Sequence, residues 1–178
     1  MRHFRLATII SILLFCNNIY SLNRYTPQQY AKYEIKTGFG LEQGLNVGFN
    51  RYYSKNFNFG FGIGSHFPPK EYAHHIVLNA ENNFHFVLTR SLKTEPSILF
   101  NQQVMFWRYS EPDFTHHAVT FALNTGVRFT SPSGFGYIFE FGPTITYTLK
   151  LDKVPGSTIH PITNEIQPNF RFLVFQRF

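Results

Sequence analysis

From residue 31 onward the chain alternates between apolar and polar residues in eight stretches, and a period of two is that of β-strands with one apolar and one polar face. In the first stretch Ala31, Tyr33, Ile35, Thr37 and Phe39 oppose Lys32, Glu34, Lys36, Gly38 and Gly40. Leu45, Val47 and Phe49 then oppose Asn46, Gly48 and Asn50, and Phe57, Phe59, Phe61 and Ile63 oppose Asn58, Gly60, Gly62 and Gly64. The fourth sets Ile76, Leu78, Ala80, Phe84 and Phe86 against Val77, Asn79, Glu81, Asn83 and His85. In the fifth Ile98, Phe100, Val104 and Phe106 share a face, but Leu99, Met105 and Trp107 blur it, which predicts a bulge. The sixth opposes Val119, Phe121, Leu123, Val127 and Phe129 to Thr120, Ala122, Asn124, Gly126 and Arg128. The seventh opposes Tyr137, Phe139, Phe141, Ile145, Tyr147 and Leu149 to Glu140, Gly142, Thr144, Thr146 and Lys150. The eighth opposes Phe170, Phe172, Val174 and Phe178 to Asn169, Arg171, Phe175 and Arg177.

Two architectures hide such faces. A soluble sandwich buries them between sheets; a transmembrane barrel turns them to lipid and keeps the polar faces inside. Several stretches run to about ten residues or more, close to the roughly 9–11 that cross a membrane obliquely. The polar faces combine glycine with charge, as in Lys32, Glu34 and Lys36, which suits a crowded lumen. The connections also alternate: 51–56, 89–95 and 130–134 are compact, whereas 67–73, 110–115 and 151–166 are longer. The tight turn at 41–44 is the exception. The pattern predicts an all-β, eight-stranded antiparallel up-and-down transmembrane barrel.

Composition removes the other classes. With 22 Phe, 10 Tyr and 1 Trp in 178 residues, the chain carries too many aromatics to stay disordered. It nevertheless lacks the long apolar runs of a helical membrane protein, and its mean hydropathy is −0.17. The length suits one domain. A single cysteine excludes a disulfide framework or a thiolate zinc cluster.

Residues 1–21 read as an address. Arg2 and Arg5 precede an apolar run from Leu6 to Phe15, too short to span a bilayer, as in a secretory signal peptide cleaved after Ser21. Residues 22–178 are then the barrel domain. Cys16 lies in the leader, where bulky Phe15 departs from a lipoprotein processing site. Removing the leader takes away two basic residues, so the net charge falls from +6 to +4.

The end of the chain carries its own signal. Phe178, with Val174, Phe172 and Phe170 on the same face, resembles the terminal strand that barrel assembly machinery reads; Gln176 departs from that pattern. With the leader and the eight strands, the chain resembles the small eight-stranded bacterial outer-membrane proteins, the porin-family type of OmpA-like and OmpX-like barrels. The resemblance implies export to the bacterial outer membrane and both termini in the periplasm. It brings no catalytic motif, and function does not follow from fold.

The interior and the rim supply the candidate chemistry. Eight strands enclose a space that side chains roughly fill. Lys32, Glu34, Lys36, Glu81, Arg128, Glu140 and Arg171 are expected there as an ion-pair network plugging the lumen, with Glu34 against Arg171 and Arg128 against Glu140. Lys150 and Arg177 fall on the same face. His75, His117 and His160 lie toward the same end and are candidate ligands for Zn²⁺, Cu²⁺ or Ni²⁺, although neighbours in a strand point to opposite faces. The alternative is a polar rim at headgroup level.

The function expected is non-enzymatic: envelope integrity, surface interaction or support of an envelope assembly. Some barrels of this size deacylate or acylate lipid A, but the His-x-Ser-Asn signature of the deacylase type is absent. A Ser–His pair at the rim, built from Ser65 or Ser110, is the enzymatic alternative. No stretch calls for a cofactor; Gly60, Gly62 and Gly64 alternate on a strand and make no nucleotide loop. Expected partners are outer-membrane lipid, lipopolysaccharide phosphates and the assembly machinery. Nucleic acid is not among them, and a monomer is expected.

Overall fold

The computed structural model describes residues 31–65, 74–88, 94–155 and 163–178; the leader and loop segments 66–73, 89–93 and 156–162 lie outside them. Eight strands follow one another: β1 (Tyr33–Gly40), β2 (Gly44–Ser54), β3 (Phe57–Ser65), β4 (His74–Val87), β5 (Glu95–Glu111), β6 (Phe114–Thr130), β7 (Phe135–Lys153) and β8 (Thr163–Arg177). Each pairs antiparallel with its neighbour, and β8 pairs with β1, so the sheet closes without an edge. The closing seam runs from Glu34 beside Arg177 to Gly40 beside Arg171. Where β1 begins and β8 finishes is here the lower end.

Period two decides which side chains turn inward. Along β4, Val77, Asn79, Glu81, Asn83 and His85 are buried while Ile76, Leu78 and Phe86 are exposed. Among the aromatics of the outer face, Phe61, Phe121, Phe139 and Phe141 are exposed, whereas Asn58, Asn124 and Glu140 are buried inside. Burial is thus inverted relative to a soluble protein. On β5 the outward positions from Pro96 to Phe106 are apolar except Gln102. The ten steps from Pro96 to Phe106 make about 34 Å of strand, or roughly 24 Å of height at a tilt of about 45°, close to the apolar band of about 25 Å on outer-membrane barrels.

Glycines clear the way inside. A Cβ on Gly48 would stand 2.9 Å from Lys36 Cε, and one on Gly62 would stand 2.8 Å from Asn79 Nδ2. Without them the side chains of the neighbouring strands would have nowhere to go. Gly44 has a φ of 61°, a left-handed conformation that lets the β1–β2 turn close tightly.

Three details differ from the sequence reading. β5 pairs without interruption on both sides, so it holds no bulge. Leu99 and Met105 blur its alternation because they belong inside, fully buried. Register shifts lie instead between Tyr52 and Ser54, between His117 and Ala118, and between Ile145 and Tyr147. The connection at 110–115 is also shorter than expected, since Glu111 pairs with Phe114 and leaves only Pro112 and Asp113 in the turn. Finally, the wall is uneven. β5, β6 and β7 have 17, 17 and 19 residues, against 8, 11 and 9 in β1, β2 and β3.

Candidate functional site in the barrel lumen

The lumen is layered. Near the lower end, Arg128 Nη2 donates to Glu34 Oε2 at 2.5 Å, and Tyr52 donates its hydroxyl to the same oxygen at 2.7 Å. Arg177 reaches Glu34 Oε2 at 3.5 Å and donates to the Tyr52 oxygen at 2.8 Å. The Arg128 guanidinium lies 3.6 Å from the centre of the Phe175 ring, a cation–π contact in a desolvated setting. Phe175 belongs to an apolar layer with Leu99, Ile138 and Leu173.

Above it sits the central network. Arg171 donates from Nη1 to Glu140 Oε2 at 3.0 Å and from Nη2 to Glu81 Oε2 at 3.1 Å. Lys36 pairs with the other oxygen of Glu81. That oxygen also accepts from Asn50 at 3.1 Å and Asn83 at 2.8 Å. Asn101 links the group onward, donating to Asn83 Oδ1 at 2.8 Å and accepting from Asn124 at 3.1 Å. Among the buried groups, Glu34, Glu81 and Glu140 balance Lys36, Arg128 and Arg171, three charges of each sign. Buried charges persist only when paired in this way.

The register corrects two of the expected pairs. Glu34 faces Arg177 across the seam, while Arg171 stands beside Gly40, six residues higher on β1, so Glu34 and Arg171 do not meet. Arg128 stands beside Ile138, and Gly126 beside Glu140, so Arg128 reaches across the lumen to Glu34 instead. Lys32 lies below β1 and is exposed, apart from the network. Lys150 follows the shift that leaves Leu149 without a partner on β6, so it turns outward and pairs with Asp152 at 2.7 Å on the surface.

A second apolar layer, Val77, Met105 and Ala122 with Trp107 against it, lies above the network. The β1–β2 turn bends over this level. Gln43 is fully buried and donates to the Met105 sulfur at 3.4 Å, and Thr144 donates to Glu42 at 3.4 Å. Burial pushes the Glu42 carboxyl above its ordinary value near 4.5, and the Thr144 hydroxyl pulls it part of the way back.

The tall wall of β4 to β7 carries a polar and aromatic inner face above that turn. Trp107 donates to Thr120 at 2.9 Å, Thr120 shares a hydrogen with Thr146 at 2.7 Å, and His116 Nε2 meets the Thr148 hydroxyl at 2.7 Å. His75 lies 6.0 Å from Trp107 and 6.1 Å from Tyr109, ring centre to ring centre. His116, not His117, shares this inner face. Even-numbered residues of β6 point inward, and His117 turns outward beside Arg108 and Lys150. His75 and His117 therefore do not form a common site, and His160 lies outside the described residues. Among the described residues no three His, Cys, Asp or Glu side chains gather as a metal set.

The serines are engaged elsewhere. The Ser65 hydroxyl donates to the His75 carbonyl oxygen at 2.7 Å, and Ser110 pairs with Thr115 at 2.9 Å on the outer face. At the seam, Phe178 and Tyr33 exchange backbone hydrogen bonds of 3.0 and 3.1 Å, which pins the terminal residue to β1. Phe170, Phe172 and Val174 line the outward face of β8, and Gln176, exposed below them, donates to the Ser133 carbonyl oxygen at 2.9 Å.

No protein-family model matches the chain, and no curated protein sequence matches it. Among solved structures, the N-terminal β-barrel domain of Pseudomonas aeruginosa OprF aligns with a TM-score of 0.50 and 10 % identity, over 86 % of this chain and 100 % of that one. Ail, the attachment invasion locus protein of Yersinia pestis, aligns with a TM-score of 0.36 and 11 % identity, over 84 % of this chain and 99 % of that one. The likeness to the OprF domain is one of fold: this chain, like that domain, is a closed β-barrel, here of eight antiparallel strands in sequence order.

Proposed function

We propose that the protein is a non-enzymatic barrel of the bacterial outer membrane, exported by its leader, with the lower end in the periplasm and a lumen closed to solutes. The observation that carries this reading is the inverted burial: three carboxylates and three cations fully inside, with phenylalanines exposed over the height of an apolar bilayer. An eight-stranded lumen crossed by Arg171, Glu81, Lys36 and Glu140, with apolar layers above and below, supports the reading of a lumen filled by side chains. Its role is to stabilise the envelope or to present its tall wall at the cell surface.

The upper rim supports the same orientation. Arg108, His117 and Lys150 form one row across β5, β6 and β7, directly above the outward row of Phe106, Val119 and Tyr147. That is headgroup level, where lipopolysaccharide phosphates would meet the cations. At the lower end Tyr33, Tyr53, Tyr137 and Phe178 are exposed, as in an interfacial aromatic girdle. Phe178, held at the seam, is the residue the assembly machinery would read.

Fractionation and conductance test the proposal together. The protein should co-sediment with outer membranes, resist extraction by alkaline carbonate, and give no stepwise currents in planar bilayers. Recovery in a soluble fraction would refute the location, and steady ohmic channels would refute the closed lumen. A change in lipid A acylation on deletion would favour the enzymatic alternative.

A further inference from the structure

Among the described residues, two neighbouring amides break the apolar outer face at mid-height. Asn82 on β4 and Gln102 on β5 are register partners, and even-numbered residues of both strands point outward. Above Asn82 on its own strand lie Ile76, Leu78 and Ala80, and below it Phe84, Phe86 and Leu88. Gln102 lies between Phe100 and Val104. Six residues of tilted strand separate Asn82 from either border, about 14 Å of height, beyond the reach of an amide side chain to headgroup water. Among the described residues neither amide makes a side-chain hydrogen bond. Next to them, Thr125 has turned its hydroxyl back onto the Leu99 carbonyl oxygen at 3.4 Å. Asn82 and Gln102 have made no such arrangement.

In hydrocarbon an unsatisfied amide is strongly disfavoured, and no water is at hand to relieve it. We infer that this patch is a lateral contact in the membrane and that its occupant is a second copy of the chain. The inference rests on the membrane reading above, and it departs from the monomer expected of the sequence. Each amide carries both donors and an acceptor, so the patch is complementary to itself about a two-fold axis, as an isologous contact requires. It holds no charge that would ask for an oppositely charged partner. Ala80, the smallest outward residue on this part of β4, lets two walls approach closely beside the amides, while Phe61 and Leu123 flank the patch with exposed apolar surface. The closed barrel offers no free strand edge, so any lateral contact is made by side chains such as these.

The test uses the full chain in a Cys16→Ser background, expressed in cells and oxidised in the isolated membranes. Ala80→Cys should give a disulfide-linked homodimer, whereas Phe39→Cys, on the opposite wall, should stay monomeric. Adding Asn82→Leu and Gln102→Leu to Ala80→Cys should lower the dimer yield about tenfold while the barrel remains folded by heat modifiability on gels. A folded membrane barrel that gives no homodimer through Ala80→Cys would overturn the inference alone, whether the patch is bare or crosslinks to a different protein. Equal dimer yields at Ala80→Cys and Phe39→Cys, or a yield indifferent to the leucine pair, would overturn it too. Recovery of the chain outside the membrane would overturn both this inference and the reading beneath it.

Discussion

Replacing Arg171 with Met removes a cation that bridges two carboxylates, Glu81 and Glu140, across the lumen. Glu81 keeps Lys36, Asn50 and Asn83, but Glu140 loses its only ion-pair partner among the described residues. The buried balance falls from three against three to three carboxylates against two cations. Leaving one member of a buried pair uncompensated costs about 3–5 kcal/mol. The bonds from Nη1 to Asn101 at 3.5 Å and Gln103 at 3.3 Å are long and add little. Arg171→Met is therefore expected to lower the unfolding free energy by about 3–5 kcal/mol. Adding Glu140→Leu removes the stranded charge, and the double variant should recover about 1–3 kcal/mol of that loss. Equilibrium urea unfolding in lipid vesicles, followed by the fluorescence of Trp107, measures all three proteins. An Arg171→Met variant within about 0.5 kcal/mol of wild type, or strictly additive losses in the double variant, would refute the assignment of Arg171 as the central counter-charge.

Three further outcomes follow from the same structure. Phe121→Arg, placed on the outward row between Val104 and Ile145, should cost about 2–4 kcal/mol in lipid vesicles, whereas a similar loss from Asn124→Ala would argue against the face assignment. Deleting Phe178 removes the backbone pair with Tyr33, and folded, heat-modifiable protein in the outer membrane should fall sharply; unchanged levels would show that the terminal residue is dispensable for assembly. The folded Glu42 carboxyl titrates above 4.5, so the folded barrel holds a proton that the unfolded chain releases. Its contribution is full below that pH and is lost as pH rises toward the folded value, and Glu42→Gln should remove this slope from denaturation midpoints taken between about pH 4 and about pH 8.

The strands were legible because a sheet with one apolar and one polar side writes a period of two into the chain. Phe121 and Asn124, or Ile76 and Val77, could be sorted by parity alone, even though Val77 turned out to be apolar and inside. The blur at Leu99, Met105 and Trp107 was visible but misread, because a lumen this narrow packs apolar layers between its charges. Partner choice was not legible. Arg128 reaches Glu34 across the lumen, a contact set by the stagger of β6 against β1, which no local pattern records. The choice between His116 and His117 turned on a parity that the tandem pair itself conceals. Asn82 and Gln102 were in plain view, each interrupting the apolar row of its strand, and only the register between β4 and β5 shows them to be neighbours.

On the membrane reading proposed above, the apolar face meets lipid and the charged face does not. Trp107, on the inner face, and Phe141→Trp in a Trp107→Phe background, at one of the most exposed outward positions, separate the two directly. In vesicles whose acyl chains carry bromine, fluorescence from Phe141→Trp should be strongly quenched while that of native Trp107 should change little. Quenching of Trp107 with no effect at Phe141→Trp would contradict the account.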